Sequence, residues 1–381
     1  MTFKETVKGF KDYSGKEAQK RAEIKKIIVE TFEKYGFEPA ETPTIEYEDF
    51  VKGENSEDEA VSDIFRLKDR GKRNLALRYE FTFQLKRLMK NKKLPYRRYQ
   101  VGPLFRDEPV SKSRFRQFTQ CDVDVVGGTV KNEAEILAMS NEILKKLGIK
   151  SLFLINNRKL LNEILDDLNI KEKNKEQVLR EADKYDKLPE KEVIKNLEKL
   201  GAGKLISALK QGEDYFNKFE SYKEIISLMD YCRIYGLEVK FAPTVVRGLS
   251  YYNGNIFEVK ARGIKETIAA GGSYPIGGVQ STGISFGLER LSLIAKIKSK
   301  KERYLVISLN QDKEAIKLAQ KLRKKGKTVS VYYGKPSKAL DYANSYDISK
   351  VIFVGSKEVK KRKFKVKDMR TGKENYSNEI L

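Results

Sequence analysis

Phe105-Arg106-Asp107-Glu108 ends one strand-like run, and Thr119-Gln120-Cys121-Asp122-Val123-Asp124-Val125-Val126 makes a second. Between them lies a polar, basic stretch, Ser111-Lys112-Ser113-Arg114-Phe115-Arg116. A strand, a basic loop and a returning strand can hold a nucleotide. Arginines pair phosphate oxygens two at a time, and an aromatic ring stacks on the base. Taken alone, the same unit is equally an edge hairpin with a solvated cationic loop. Farther along, Ser281-Thr282-Gly283-Ile284-Ser285-Phe286-Gly287-Leu288-Glu289-Arg290-Leu291 reads as strand, glycine turn and helix. Gly287 would let backbone approach closely, and Arg290 would project from the first helical turn. By itself this too is an ordinary strand–helix junction with a surface arginine.

Around these elements the chain falls into three rhythms. Ser14-Gly15-Lys16-Glu17 has the spacing of a capping box. It precedes a helical pattern carried by Ala18, Ala22, Ile24, Ile27, Ile28, Phe32 and Tyr35, which Gly36 stops. Phe37–Ile45, broken by Pro39 and Pro43, is short and extended. Further strands are expected at Asn74–Arg78, Tyr96–Phe105, Leu152–Ile155, Ile256–Lys260 and Gly283–Phe286. Residues from about 157 to 236 are rich in Lys, Glu and Leu and read as several connected helices inserted in the first domain. The last segment alternates: strand Tyr304–Leu309, helix Asp312–Lys325, strand Thr328–Tyr333, helix Ser337–Tyr346, strand Lys350–Val354. That order indicates a parallel-sheet βαβ domain. We expect an α+β first domain over 1–298 and an α/β second domain over 302–381, with Lys298, Lys300 and Lys301 in a basic linker.

Composition narrows the partners. The 381 residues carry 77 Lys+Arg against 54 Asp+Glu, a net charge of +23. Such an excess favours polyanions, although a Lys-rich bias that merely solvates the surface would give the same total. No apolar run is long enough to span a bilayer, and the first ten residues lack the apolar core of a signal peptide. Two cysteines, Cys121 and Cys232, suit a reduced, cytoplasmic protein. There is no histidine at all, so a Cys/His zinc site is excluded.

Together, the two chemical elements resemble motifs 2 and 3 of the class II aminoacyl-tRNA synthetases. Tyr35-Gly36-Phe37-Glu38-Pro39-Ala40-Glu41-Thr42-Pro43 resembles motif 1, the helix and Pro-ending strand of that family's dimer interface. Three segments narrow the resemblance to the histidyl-tRNA synthetases. Leu77-Arg78-Tyr79-Glu80-Phe81-Thr82 is similar to their LRYDLT/LRPEGT segment. Arg116-Gln117-Phe118-Thr119-Gln120-Cys121-Asp122-Val123-Asp124 is similar to their RxFxQ strand, in the form usual for archaeal and eukaryotic members. Val246-Arg247-Gly248-Leu249-Ser250-Tyr251-Tyr252 resembles their VRGLDYY box. The resemblance covers nearly the whole chain, including the insertion from Asn156 and a C-terminal anticodon-binding domain containing Ser337–Ala343.

The resemblance implies an antiparallel-sheet catalytic domain, a homodimer, and histidine, ATP with Mg²⁺, and a histidine-accepting tRNA as partners. It implies that Glu80, Thr82 and Gln120 bind the substrate ammonium, that Asp124 and Tyr252 bind its imidazole, and that Tyr251 is also substrate-binding. Buried polar groups of this kind reject apolar analogues, which would leave them unpaired. It further implies that Arg106 and Arg247 are catalytic, stabilising charge on the ATP α-phosphate during attack by the histidine carboxylate. Glu108 would accept from the adenine amino group, Phe118 and Arg290 would sandwich the ring, and Arg114 would reach the outer phosphates. No metal ligand is implied by residue. For Asp124 alone, a strand-end carboxylate would be the plain reading; for Tyr252 alone, a core aromatic.

The chain departs from the family pattern at Ser250, where the box has Asp. It departs again at Gly271-Gly272-Ser273-Tyr274-Pro275, where the family's GGRYD has an Arg and an Asp. Those two lost groups are either a structural pair whose joint removal is tolerated or a mark of lowered activity. A non-catalytic regulator that senses histidine or uncharged tRNA is the alternative function. Retention of Glu80, Arg106, Gln120, Arg247 and Arg290 argues against it, as does a C-terminal domain that such regulators usually lack. A synthetase for another amino acid is a third reading, and the 247–252 box discriminates against it.

Overall fold

The computed structural model describes residues 5–53, 59–247, 251–297 and 302–377. The chain forms two compact units, Met1–Ile297 and Lys298–Leu381.

The first unit is built on an eight-stranded sheet. Its strands are β1 (Glu38–Pro39), β5 (Tyr96–Phe105), β6 (Gln117–Val126), β7 (Ser151–Asn157), β8 (Lys240–Phe241), β9 (Asn255–Ala261), β10 (Ala269–Ile276) and β11 (Val279–Gly287). A separate three-stranded sheet holds β2 (Ile45–Tyr47), β3 (Arg66–Lys68) and β4 (Asn74–Leu77). The large sheet runs β1-β5-β6-β11-β10-β9-β7-β8 and is antiparallel except at its edge pairs β1·β5 and β7·β8. β10 escaped the sequence reading because Ala269-Ala270-Gly271-Gly272 has neither alternation nor β-branched residues. It forms because β9 and β11 flank it and complete its hydrogen bonds.

Period-two alternation divides this sheet's two faces. Cys121, Val123 and Val125 are fully buried on one face, with Ile284 and Phe286 of β11 in the same core. Two helices, Gly15–Lys34 and Val130–Lys146, supply Ile24, Ile28, Phe32, Ile136, Leu137 and Ile143 to that core. Phe32 stacks near both Tyr99 and Phe286, with ring centroids 5.6 and 6.4 Å away. Ala22, expected on the apolar face, is exposed. The capping box does not form either. Ser14 makes no side-chain cap, and Glu17 pairs with Lys11 at 2.8 Å instead. Gly36 does stop the helix, at a φ of 75° that disfavours other residues.

Between β7 and β8 the chain forms helices Arg158–Asp167, Glu172–Ala182, Glu190–Lys199, Leu205–Leu209, Glu213–Phe216 and Tyr222–Ile234. Their apolar stripes join the same core as the sheet.

The second unit contains β12 (Arg303–Ser308), β13 (Thr328–Tyr333), β14 (Lys350–Val354), β15 (Phe364–Asp368) and β16 (Glu374–Ser377). β13-β12-β14 are parallel, as the βαβ rhythm indicates, with helices Asp312–Lys324 and Pro336–Ser345 as crossovers. The wholly parallel sheet is corrected: β15 and β16 add an antiparallel edge. β15 is Lys-rich and half-buried and β16 is mostly exposed, so both carry too little apolar signal to be read from sequence.

Candidate active site

β5 and β6 are paired along their whole lengths, from Tyr96↔Val126 to Phe105↔Gln117. β6 pairs equally with β11, placing Gln120 opposite Gly287, Asp122 opposite Ser285 and Asp124 opposite Gly283. Gln120, Asp122 and Asp124 therefore share the face away from the Val123 core. The row through Asp122 runs Gln100, Asp122, Ser285, Ala270, Glu258 across five strands. Small residues dominate its middle, and an open cleft lies there.

All of the residues singled out from sequence line that cleft: Glu80, Thr82, Arg106, Glu108, Arg114, Phe118, Gln120, Asp124, Arg247, Tyr251, Tyr252 and Arg290. Of the 246–252 box, Gly248, Leu249 and Ser250 lie outside the described residues.

Arg106 sits where the hairpin opens. Its Nε donates to the Tyr79 carbonyl at 3.1 Å, and its guanidinium lies 5.2 Å from the centre of the Phe118 ring. Arg114 reaches Glu108 at 3.5 Å, and Ser113 Oγ donates to Glu266 at 2.6 Å. Arg290 donates to the Thr267 carbonyl at 2.6 Å. Burial lowers its pKa, and the neighbouring charge of Arg114 adds to this. Several guanidinium groups thus face one cleft, a field suited to a polyphosphate.

On the far side, Arg247 Nη1 is 2.9 Å from Glu258 Oε1. Burial alone would lower the Arg247 pKa, but Tyr252 and Glu258 outweigh it and raise it. The Arg247 Nε–H is buried and has no hydrogen-bond partner among the described residues. Such a donor costs about 1–3 kcal/mol unless an acceptor reaches it.

Asp124 is already engaged. It faces Arg98 Nη2 at 2.8 Å and accepts from the Tyr274 hydroxyl. Burial pushes its carboxyl up, against the pull of Arg98 and Tyr274. Tyr251, Tyr252 and Tyr274 form an aromatic wall, with centroids 4.8 Å apart for the first two and 5.6 Å for Tyr251–Tyr274.

A Cβ at Gly287 would meet no protein atom closer than 3.9 Å, so no neighbour within the chain demands that glycine. The constraint sits at Gly283, where a Cβ would lie 2.1 Å from Asp124 Oδ1 and 2.7 Å from the Val123 carbonyl. Gly271 is equally tight, 2.0 Å from the Gly283 carbonyl.

Sequence reasoning missed Arg98, Asp122, Glu258, Thr267, Tyr274 and Ser285. A signal existed for Asp122, which lies two residues from both Gln120 and Asp124 and so shares their face. It accepts from Ser285 Oγ at 2.6 Å and from Gln120 Nε2 at 3.1 Å. The second bond fixes the Gln120 amide with its oxygen free for a donor. The others are set by cross-strand neighbours, which a single strand's sequence does not reveal.

The comparisons with known proteins agree along the whole chain. A family model described as histidyl-tRNA synthetase matches residues 9–291, and one described as anticodon binding domain matches 302–379. Histidine–tRNA ligase 2 of Shouchella clausii is 33% identical over 414 residues, covering 98% of this chain and 97% of that one. Histidine–tRNA ligase of Clostridium acetobutylicum is 32% identical over 419 residues, covering 97% and 96%. The crystal structure of histidyl-tRNA synthetase from Nostoc sp. PCC 7120 superposes with a TM-score of 0.85 at 25% identity, covering 99% and 97%.

Burial pushes the Asp122 carboxyl up to about 6; Arg98 opposes the rise and Asp124 adds to it. An unfolded aspartate titrates near ~3.9. A group raised on folding adds stability that is full below its unfolded value and lost as pH rises through its folded value. Between about pH 4 and about 6, ionisation of Asp122 therefore draws stability down. Asp122→Asn should flatten that fall in urea titrations run across the interval. An unaltered slope would assign the loss to another group.

Proposed function

The chain belongs to the histidyl-tRNA synthetase family, and from that membership we propose how its cleft works. The protein is a histidine–tRNA ligase: it activates histidine with ATP and transfers it to the 3′ end of histidine tRNA. The residue roles are our reading. The observation that carries them is the buried, unpaired Nε–H of Arg247 across the cleft from Arg106.

Activation brings two anions together, and negative charge builds on the oxygens of the α-phosphate. Arg106 stabilises it from the hairpin side and Arg247 from the other. Neither guanidinium needs to reorganise, since Tyr79 and Glu258 already hold them. The Arg247 donor, without a partner among the described residues, gains an acceptor when such an oxygen is present. Glu80, Thr82 and Gln120 take the histidine ammonium. Asp124 and Tyr252 take the imidazole edge, with Tyr251 packed on Tyr252. Phe118 and Arg290 hold the adenine ring, Glu108 accepts from its amino group, and Arg114 reaches the outer phosphates.

The family uses ATP with Mg²⁺ in general. Among the described residues no three carboxylate, cysteine or histidine groups converge to hold a metal. Mg²⁺ would come with ATP, held through its phosphate oxygens, and would neutralise phosphate charge there. The 302–379 domain reads the tRNA anticodon. No described helix is long and apolar enough to cross a membrane, and we place the enzyme in the cytoplasm with its tRNA.

Homodimerisation is the remaining part of the reading. Ile45 and Tyr47 on β2, just beyond the motif 1 segment, are 49% and 58% exposed. Apolar side chains laid open on a short strand are suited to cover by a second copy.

Arg247→Ala should slow histidine-dependent ATP–pyrophosphate exchange by roughly a hundredfold to a thousandfold, with a smaller change in histidine affinity. Exchange near the wild-type rate would remove Arg247 from the chemistry. A chain ending before Glu302 should form adenylate yet charge tRNA poorly; normal charging would overturn the anticodon role. Sedimentation at assay concentration should give twice the 43.9 kDa chain mass, and a fully active monomer would sink the dimer.

A further inference from the structure

Resting on the reading of Arg247 as a catalytic cation, we infer that the helical insertion sets its position, with Glu176 and Asp186 as positioning residues. Two independent routes connect them.

The first runs through the main chain. The segment that delivers Arg247 lies along the end of β7. Asn156 Nδ2 donates to the carbonyls of Pro243 and Val245, at 2.9 Å each. Arg158 Nη1 donates to the carbonyl of Arg247 itself at 3.4 Å. Three alternate carbonyls are thus held by one strand end. Arg158 is almost wholly buried, so its charge needs a partner. That partner is Glu176, reached by Arg158 Nη2 from insertion helix Glu172–Ala182.

The second route runs through the side chain. Glu258 has two carboxylate oxygens and three cationic or hydroxyl neighbours. Oε1 takes Arg247 at 2.9 Å, while Oε2 takes Thr267 Oγ1 at 2.9 Å and faces Lys260 Nζ at 3.3 Å. Lys260 is shared, lying 3.1 Å from Asp186 Oδ2 in the loop after that insertion helix. Asp186 draws the ammonium outward. Without Asp186, Lys260 has only Glu258 to pair with, and the two cations compete for one carboxylate. The charge of Asp183, in the same loop, also acts on Arg247.

The geometry makes opposite demands of the two routes. Glu176 is needed because Arg158 is buried. Both acids are about half exposed, but Lys260 is partly open to solvent where Arg158 is nearly closed off, so the Asp186–Lys260 pair is more screened and contributes less. Removing Glu176 should therefore cost more than removing Asp186, though both should act on turnover rather than on substrate binding.

The test measures histidine-dependent ATP–pyrophosphate exchange on the full-length chain. Glu176→Gln should lower kcat roughly tenfold, and Asp186→Asn roughly threefold, each with KM for histidine within about twofold. The deciding measurement is the double-mutant cycle with Arg247→Ala. In that background both substitutions should have no further effect on kcat, because their target is gone. Full-sized losses persisting there would show that they act elsewhere, as general damage to the fold would. Wild-type kcat in both single variants, beside a slow Arg247→Ala chain, would overturn this inference and leave the role of Arg247 standing. Wild-type exchange by Arg247→Ala would remove both.

Discussion

One buried carboxylate ties together the pieces on which the cleft depends. Glu289 opens the short helix Leu288–Ile294 that follows β11. It accepts Arg21 Nη2 at 2.8 Å from the first long helix, and the Thr119 backbone N–H from β6 at 3.0 and 3.1 Å. Tyr13 closes the far side, its ring centre 3.8 Å from the Arg21 guanidinium. Three segments distant in sequence thus meet at one anion. Each delivers neighbours to the site: Phe118 and Gln120 flank Thr119, and Arg290 follows Glu289. A buried charge pair of this kind contributes little net stability against an apolar replacement, while loss of one partner leaves the other stranded. Its value here is geometric, since it fixes the register in which the cleft-lining side chains stand.

From that clamp the sheet does the rest by arithmetic. Antiparallel pairing at a period of two puts every second residue of β5, β6, β11, β10 and β9 on the cleft face. The floor must also be low, because histidine and ATP need room above buried polar rows. Gly283 and Ala270 supply that, and at Gly283 even a methyl group would collide with Asp124. Asp124 in turn stands between Arg98, fully buried below it, and Tyr274 beside it. Asp124 is thus held by protein groups and not by solvent, which is the condition for recognising a substrate by its hydrogen bonds.

The legibility of these features in the sequence follows their range. Tyr96–Phe105 and Thr328–Tyr333 were readable to the residue because alternation and aromatic or β-branched content agree. That Arg106, Gln120, Arg247 and Arg290 belong together was readable because they sit in local patterns that resemble a known family, and the fold brings all four to one cleft. What was not readable is non-local. β10 owes its strand to its neighbours. Glu258 matters because Arg247 lands on it, and Arg98 because Asp124 lies across the ladder. Ser14 has the right spacing for a cap, but Glu17 found Lys11 first.

The departures from the family pattern at Ser273 and Pro275 can be weighed by the same face-by-face logic. Tyr274 points to Asp124 on the cleft side, so Ser273 faces the opposite way. There it donates to Glu133 of helix Val130–Lys146, whose other oxygen takes Asn255 Nδ2 at 2.7 Å. Burial raises the Glu133 pKa, and its two partners are neutral hydrogen-bond donors. An arginine at 273 would have met this carboxylate as a charge, whereas a serine meets it as a dipole. Pro275, by contrast, is exposed on β10 near its turn into β11. Neither position touches the row of Gln120, Asp122 and Asp124. The lost arginine and aspartate therefore alter what lies behind the sheet, and Gln120, Asp122 and Asp124 on the cleft face keep their own partners.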